Sequence, residues 1–179
     1  MLKKDRAVLI VTDIQGNLAS LMHEREALYK NIGIMIDGIR VLDIPIIWVE
    51  QYPRGLGSTV PEVASHLEGY KPLPKISFSS LKDPAIRERF SSYSRDQVIL
   101  VGIETHVCIY QTAMDLLEQG IETHVVEDGV SSRTFMNKQI GLRKIERAGG
   151  YITSVETALF ELLEVAEGES FKKIVKLVK

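Results

Sequence analysis

Residues 98–110, VILVGIETHVCIY, decide the reading of this chain. An apolar run, Val98 to Val101, meets Gly102 and passes through Glu104, Thr105 and His106 to Cys108, the single cysteine of the sequence. Beyond it Ile109, Ala113, Leu116 and Leu117 recur at helical spacing, and Gly120 is placed to end the helix. A strand therefore turns into a helix with a thiol at the junction. With Thr105 as N-cap, Cys108 takes the third helical position, where unpaired backbone N–H groups and the positive end of the helix dipole favour a thiolate. A thiol so placed is expected to have a lowered pKa and to be reactive. The alternative is a cysteine used as a small buried hydrophobe, and this stretch alone leaves both open.

The flanks continue the alternation. Residues 6–12, RAVLIVT, form the near-continuous apolar run of a strand covered on both faces in a parallel sheet, and end at Asp13. A helix over Glu24 to Leu42 carries Leu28, Ile32, Met35, Ile36 and Ile39 on one side, and Pro45 to Glu50 is the next strand. The Pro and Gly of QYPRGLGSTV mark a loop, and residues 53–83 read as irregular, with Pro72 and Pro74 holding the approach to Lys75 extended. Asp83-Pro84 starts a short helix ending near Phe90. After Gly120 a strand is expected to end at Glu127-Asp128, followed by a helix over Asn137 to Ala148, a strand over Tyr151 to Ser154 and a helix from Val155 to about Ala166. Past Gly168, an amphipathic helix over 170–179 puts Phe171, Ile174, Val175 and Val178 on one face, expected to dock on the body or on another subunit. The pattern predicts one domain over residues 1–179, an α/β doubly wound, Rossmann-like fold. Its sheet is mostly parallel, of about six strands, with helices on both faces.

In such a sheet the carboxyl ends of the strands line the ligand crevice. Asp13, Cys108 and the loop beginning Gln51-Tyr52 share that edge, which makes Gln51 and Tyr52 candidate pocket walls. Asp13 has an alternative role in ordering the turn it shares with Gln15, Gly16 and Asn17.

Composition narrows the function. The net charge is −2 and the 22 Lys and Arg residues are scattered, so neither nucleic acid nor an anionic membrane is expected as a partner. One cysteine builds no internal disulfide, which points to a reducing, cytoplasmic setting. The run Ala7 to Val11 is closed by Asp13 and reads as a strand, not a signal peptide, and no apolar segment approaches the roughly twenty residues needed to span a bilayer. There is no Rossmann glycine fingerprint and no Walker A sequence. His23, His66, His106 and His124 stand apart, so no cofactor and no metal are expected.

Three motifs occur in order: Asp13-x-Gln15 after the first strand, Lys75 followed by Phe78-Ser79, and Gly102-x-x-Thr105-x-x-Cys108. With them the chain resembles the isochorismatase-like cysteine hydrolases, from Ala7 to about Leu163, and Asp128 with Ser131, Ser132 and Arg133 is similar to the stretch after the family's fifth strand. The resemblance implies a catalytic set of Asp13, Lys75 and Cys108. It also implies a cis peptide between Ile103 and Glu104, oxyanion-binding N–H groups at Glu104 and Cys108, a small-molecule substrate and a homo-oligomer. Gln15, Gln51, Tyr52, Phe78 and Tyr110 are then the candidate substrate-pocket residues.

Nicotinamidases of this superfamily carry an aspartate and histidines after the second strand to bind a metal. Here that region reads EQYPRGLGSTV, which is closer to a metal-free subgroup resembling YcaC-related hydrolases. The expectation is an amidohydrolase-type enzyme that cleaves a small C–N bond through a Cys108 thioester, with Asp13 as general base and acid and Lys75 as electrostatic partner. The alternative is a non-hydrolytic thiol-sensing or assembly protein that keeps the fold.

Overall fold

The computed structural model describes residues 1–179. Six strands, β1 (Ala7–Thr12), β2 (Ile46–Gln51), β3 (Leu73–Lys75), β4 (Gln97–Ile103), β5 (Glu122–Ser131) and β6 (Tyr151–Thr153), form one sheet in the order β3-β2-β1-β4-β5-β6. Every pairing is parallel. The apolar runs are continuous because both faces are covered. Leu9, Val11, Ile99, Val101 and Ile103 pack under α2 (Arg25–Val41), α8 (Val155–Leu163) and α9 (Gly168–Val178). Their neighbours Val8, Ile10, Val98 and Leu100 pack under α5 (Pro84–Ser92), α6 (Tyr110–Glu118) and α7 (Phe135–Arg147). Each such side chain contributes about 1.5–3 kcal/mol on burial, so the central strands anchor the fold.

From β1 the chain builds outward through β2 to β3, then returns to the other side of β1 with β4 and continues to β6. The switch point lies between β1 and β4, the place where sheets of this kind bind ligands. Asp13 and the Cys108 turn are the two continuations at that point.

Two expectations are corrected. Residues 53–83 contain the short helices α3 (Pro53–Leu56) and α4 (Pro61–Ala64) and the strand β3, which Pro74 conceals in the sequence. Pro74 is tolerated because β3 is an edge strand, bonded to β2 alone. The fifth strand does not end at Glu127-Asp128. It continues to Ser131 through a register shift, and the acids occupy a bulge from which the Asp128 carboxylate accepts a hydrogen bond from the Val155 N–H at the start of α8. The C-terminal helix docks on the body: Ile174 is fully buried in the core that includes α2 and α8, with Val178 packed beside it. No helix is long and apolar enough to cross a membrane.

Candidate active site

β1, β3 and β4 deliver Asp13, Lys75 and Cys108 to the same sheet edge. Lys75 is the last residue of β3, and its side chain is entirely buried. Its Nζ donates to Asp13 Oδ2 at 2.7 Å and to Gln51 Oε1 at 2.5 Å. Asp13, in the left-handed region at φ 60°, is buried, and its second oxygen, Oδ1, has no hydrogen-bond partner. Cys108 is buried nearby, close enough for both charges to act on the ionisation of its thiol.

The electrostatics reverse one expectation. The thiol pKa is pushed up to about 12, by burial first and then by the Asp13 carboxylate, while the Lys75 ammonium works against the rise. A helix dipole is worth about 0.3–1 kcal/mol, less than one pKa unit, whereas burial can move a group by about 3–5 units. Desolvation wins, and Cys108 rests as a thiol. Asp13 is also raised above the usual carboxylate range, because burial outweighs the lowering effects of Lys75, Cys108 and the Gln51 backbone. A carboxylate of raised pKa is a better proton acceptor.

The turn that carries the thiol also differs from expectation. Thr105 is not the N-cap: it opens a π-helical turn, Thr105–Ile109, whose N-cap is Glu104, and its buried hydroxyl has no partner. The Ile103-Glu104 peptide bond is cis. Glu104 uses its carbonyl to accept from Val107 and Ile109, whereas its N–H is not engaged in a backbone hydrogen bond. Its carboxylate receives the Arg133 N–H at 3.0 Å and Arg133 Nε at 3.2 Å, and His106 Nδ1 lies 3.0 Å from Ser132 Oγ, so the end of β5 braces the turn. Gly102, at φ +126°, has its Cα so close to β1 that a Cβ would sit 2.0 Å from the Thr12 carbonyl oxygen. Only glycine allows the two central strands that approach there.

The candidate pocket residues separate into two groups. Gln15 is fully buried; its amide donates to the Gln51 and Gly57 carbonyls and accepts from the Gln51 N–H, so it clamps the ends of β1 and β2 together. Gln51 holds Lys75, and Tyr110 packs its ring under the Lys144 ammonium, 4.2 Å from the centroid. Tyr52 and Phe78 are exposed. Tyr52 lines a surface cavity of about 380 Å³ with Pro53, Arg54, Pro74, Lys75, Ile76 and Asp83. Sequence reasoning passed over Asp115, which receives Ser79 Oγ at 2.6 Å and ties the lysine loop to α6. No spacing rule links residues that far apart. No group of three His, Cys, Asp or Glu side chains is placed to hold a metal ion.

The sequence profile described as the isochorismatase domain matches residues 7–157. A secreted isochorismatase effector, Isc1, of Phytophthora sojae is 39% identical over 97% of this chain and 84% of its own length. The structure of the MAR1 ribonuclease of Caenorhabditis elegans superposes with a TM-score of 0.92 at 36% identity, covering 99% of this chain and 91% of that one. YcaC of Pseudomonas aeruginosa, at 20% identity, shares the fold with a TM-score of 0.92 over 98% of this chain and 90% of its own. Family membership supports a hydrolase in the broad sense. With the profile spanning most of the chain and with relatives above a third identical, this chain belongs to the isochorismatase family.

Proposed function

We propose that the chain is a cysteine hydrolase that cleaves a small C–N bond of the amide type through a Cys108 thioester. The observation that carries this reading is the buried Asp13 carboxylate, with Oδ2 held by Lys75 and Oδ1 unpartnered beside the thiol. Sγ attacks the substrate carbonyl carbon while its proton passes to Asp13. Proton transfer is coupled to attack because the resting thiol is protonated. The oxyanion is received by backbone N–H groups at Glu104 and Cys108, the first of which is free of backbone partners. As the C–N bond breaks, Asp13 returns the proton to the leaving nitrogen. Water then attacks the thioester, giving its proton to Asp13, and the released sulfur takes that proton back. Throughout, Lys75 keeps a positive charge next to whichever of Asp13 and Sγ carries the negative one.

The limited exposure of Cys108 restricts the reacting group to a small one, and Tyr52, exposed on the cavity it shares with Lys75, is the candidate contact for the rest of the substrate. Exposed Phe135, Met136 and Ile140 on α7 support self-association, and a cytoplasmic, reducing setting suits a thiol nucleophile.

The test is intact-mass detection of an acyl adduct during incubation with short aliphatic and aromatic primary amides. An adduct that forms on the wild type, turns over, and is absent in Cys108→Ala and Asp13→Asn supports the reading. No adduct and no turnover across the panel would favour the thiol-sensing or assembly alternative. The C. elegans relative is named a ribonuclease, so single-stranded RNA belongs in the same assay. RNA cleavage that survives Cys108→Ala would sink the thioester mechanism as the main activity.

A further inference from the structure

The amide of Gln51, the last residue of β2, has two ends with different partners. Oε1 lies 2.5 Å from Lys75 Nζ, and Nε2 lies 2.6 Å from the Ile76 carbonyl oxygen. An ammonium only donates and a carbonyl only accepts, so the amide has a single workable orientation. Rotated by half a turn, it would set an NH₂ against the ammonium and one carbonyl oxygen against another. The backbone beneath is held as firmly. Gln15 bonds both the N–H and the C=O of Gln51, and the Tyr52 N–H donates to the Lys75 carbonyl at 2.8 Å.

The consequence falls on the lysine. Its ammonium has three N–H donors; one is given to Asp13 and one to Gln51. The third is committed to neither, and Cys108 is a nearby group whose ionisation Lys75 favours. Without Gln51 the flexible butyl stem has one fixed contact instead of two, and the third N–H has no set direction. Building on the thioester reading above, we propose that Gln51 is a positioning residue. By occupying one donor of the Lys75 ammonium, it turns another toward the sulfur as negative charge develops there. It acts through the lysine and does not touch the substrate.

The probe is iodoacetamide, a neutral alkylating agent, with the rate of Cys108 modification followed by intact mass between pH 7 and 10. Gln51→Met keeps the length of the side chain but removes the acceptor. It is expected to slow alkylation about tenfold at each pH, equivalent to a displacement of about one unit toward higher pH. Gln51→Asn, one methylene shorter and unable to span both partners, should move in the same direction and serves if the first variant folds poorly. In a Lys75→Met background the further change Gln51→Met should have no effect, because a group that acts only through the lysine has nothing left to act on. An equal slowing with and without the lysine would mark Gln51 as a general packing residue and overturn the proposal. If Lys75→Met itself leaves the rate unchanged, the electrostatic role given to Lys75 in the thioester reading fails, and the positioning role fails with it. If Lys75→Met slows alkylation and both Gln51 variants do not, the positioning role alone is lost.

Discussion

Nζ of Lys75 lies 2.7 Å from Oδ2 of Asp13 although the two residues are 62 positions apart, and both side chains are withdrawn from solvent. A lone buried lysine or aspartate would tend to lose its charge; together, in hydrogen-bond contact, each makes the other's charge tolerable. The pair remains incomplete, since Asp13 Oδ1 has no partner and Cys108 stands next to it. An unsatisfied carboxylate oxygen near a thiol is where a proton can arrive.

The two charged residues should move the thiol in opposite directions. The Asp13 carboxylate raises the Cys108 pKa and the Lys75 ammonium lowers it. Asp13→Asn removes a negative charge, so the thiol pKa falls and alkylation by iodoacetamide at pH 8 accelerates. Lys75→Met removes a positive charge, so the pKa rises and alkylation slows. With the wild-type thiol near 12, the rate of the native protein should keep climbing through pH 10 without a plateau. Asp13→Asn should nevertheless turn over no amide, because the proton acceptor is gone. Equal slowing by both substitutions would contradict this arrangement.

Two glycines permit the nucleophile turn. A Cβ on Gly102 would meet the Thr12 carbonyl oxygen at 2.0 Å with φ at +126°. Gly102→Ala is therefore expected to cost more than about 3 kcal/mol, read by urea unfolding, if it folds at all. A Cβ on Gly141 of α7 would sit 2.7 Å from the Thr105 carbonyl oxygen and 2.9 Å from the His106 Cα. These are backbone atoms that cannot turn aside, so α7 and the turn must separate: Gly141→Ala should cost about 1–3 kcal/mol and displace the turn, changing the rate of Cys108 alkylation. A native alkylation profile in Gly141→Ala would show that α7 does not shape the turn.

The lysine loop is pinned to the nucleophile helix by Ser79, whose hydroxyl donates to Asp115 at 2.6 Å and accepts from the Leu81 N–H at 3.2 Å. Ser79→Ala should lose about 1–2 kcal/mol, since it leaves a half-buried carboxylate with one partner fewer. Thermal melts of Ser79→Ala, Asp115→Asn and the double variant provide the check, and the double should cost less than the sum of the singles.

The docking of α9 has a plain test. Ile174 is fully buried in the main core, so Ile174→Ala should destabilise the folded chain by about 2–5 kcal/mol. Sedimentation of the folded variant should match the wild type, because that face is spent within the chain. A changed subunit number with unchanged stability would assign the helix to an interface instead.

What the sequence by itself determined is what depends on local pattern. Ala7 to Thr12 and Val98 to Val101 read as buried strands, because short apolar runs rich in β-branched residues suit a sheet covered on both faces. From that follow the parallel sheet and the shared edge for Asp13 and Cys108. The ordered motifs around Asp13, Lys75 and Cys108 carried the family. Tertiary structure decided what depends on neighbours distant in the chain. Lys75 sits on a strand that Pro74 disguises and only an edge position tolerates; the Gln51 amide is bonded to Lys75 and to the Ile76 carbonyl; and Glu127-Asp128 bulges out of a strand that continues beyond them. The largest change concerns Cys108. Its place at a helix start promised a thiolate, but the dipole of one turn is a small local effect, and desolvation by the packed core, which no local pattern reports, raises the thiol pKa to about 12.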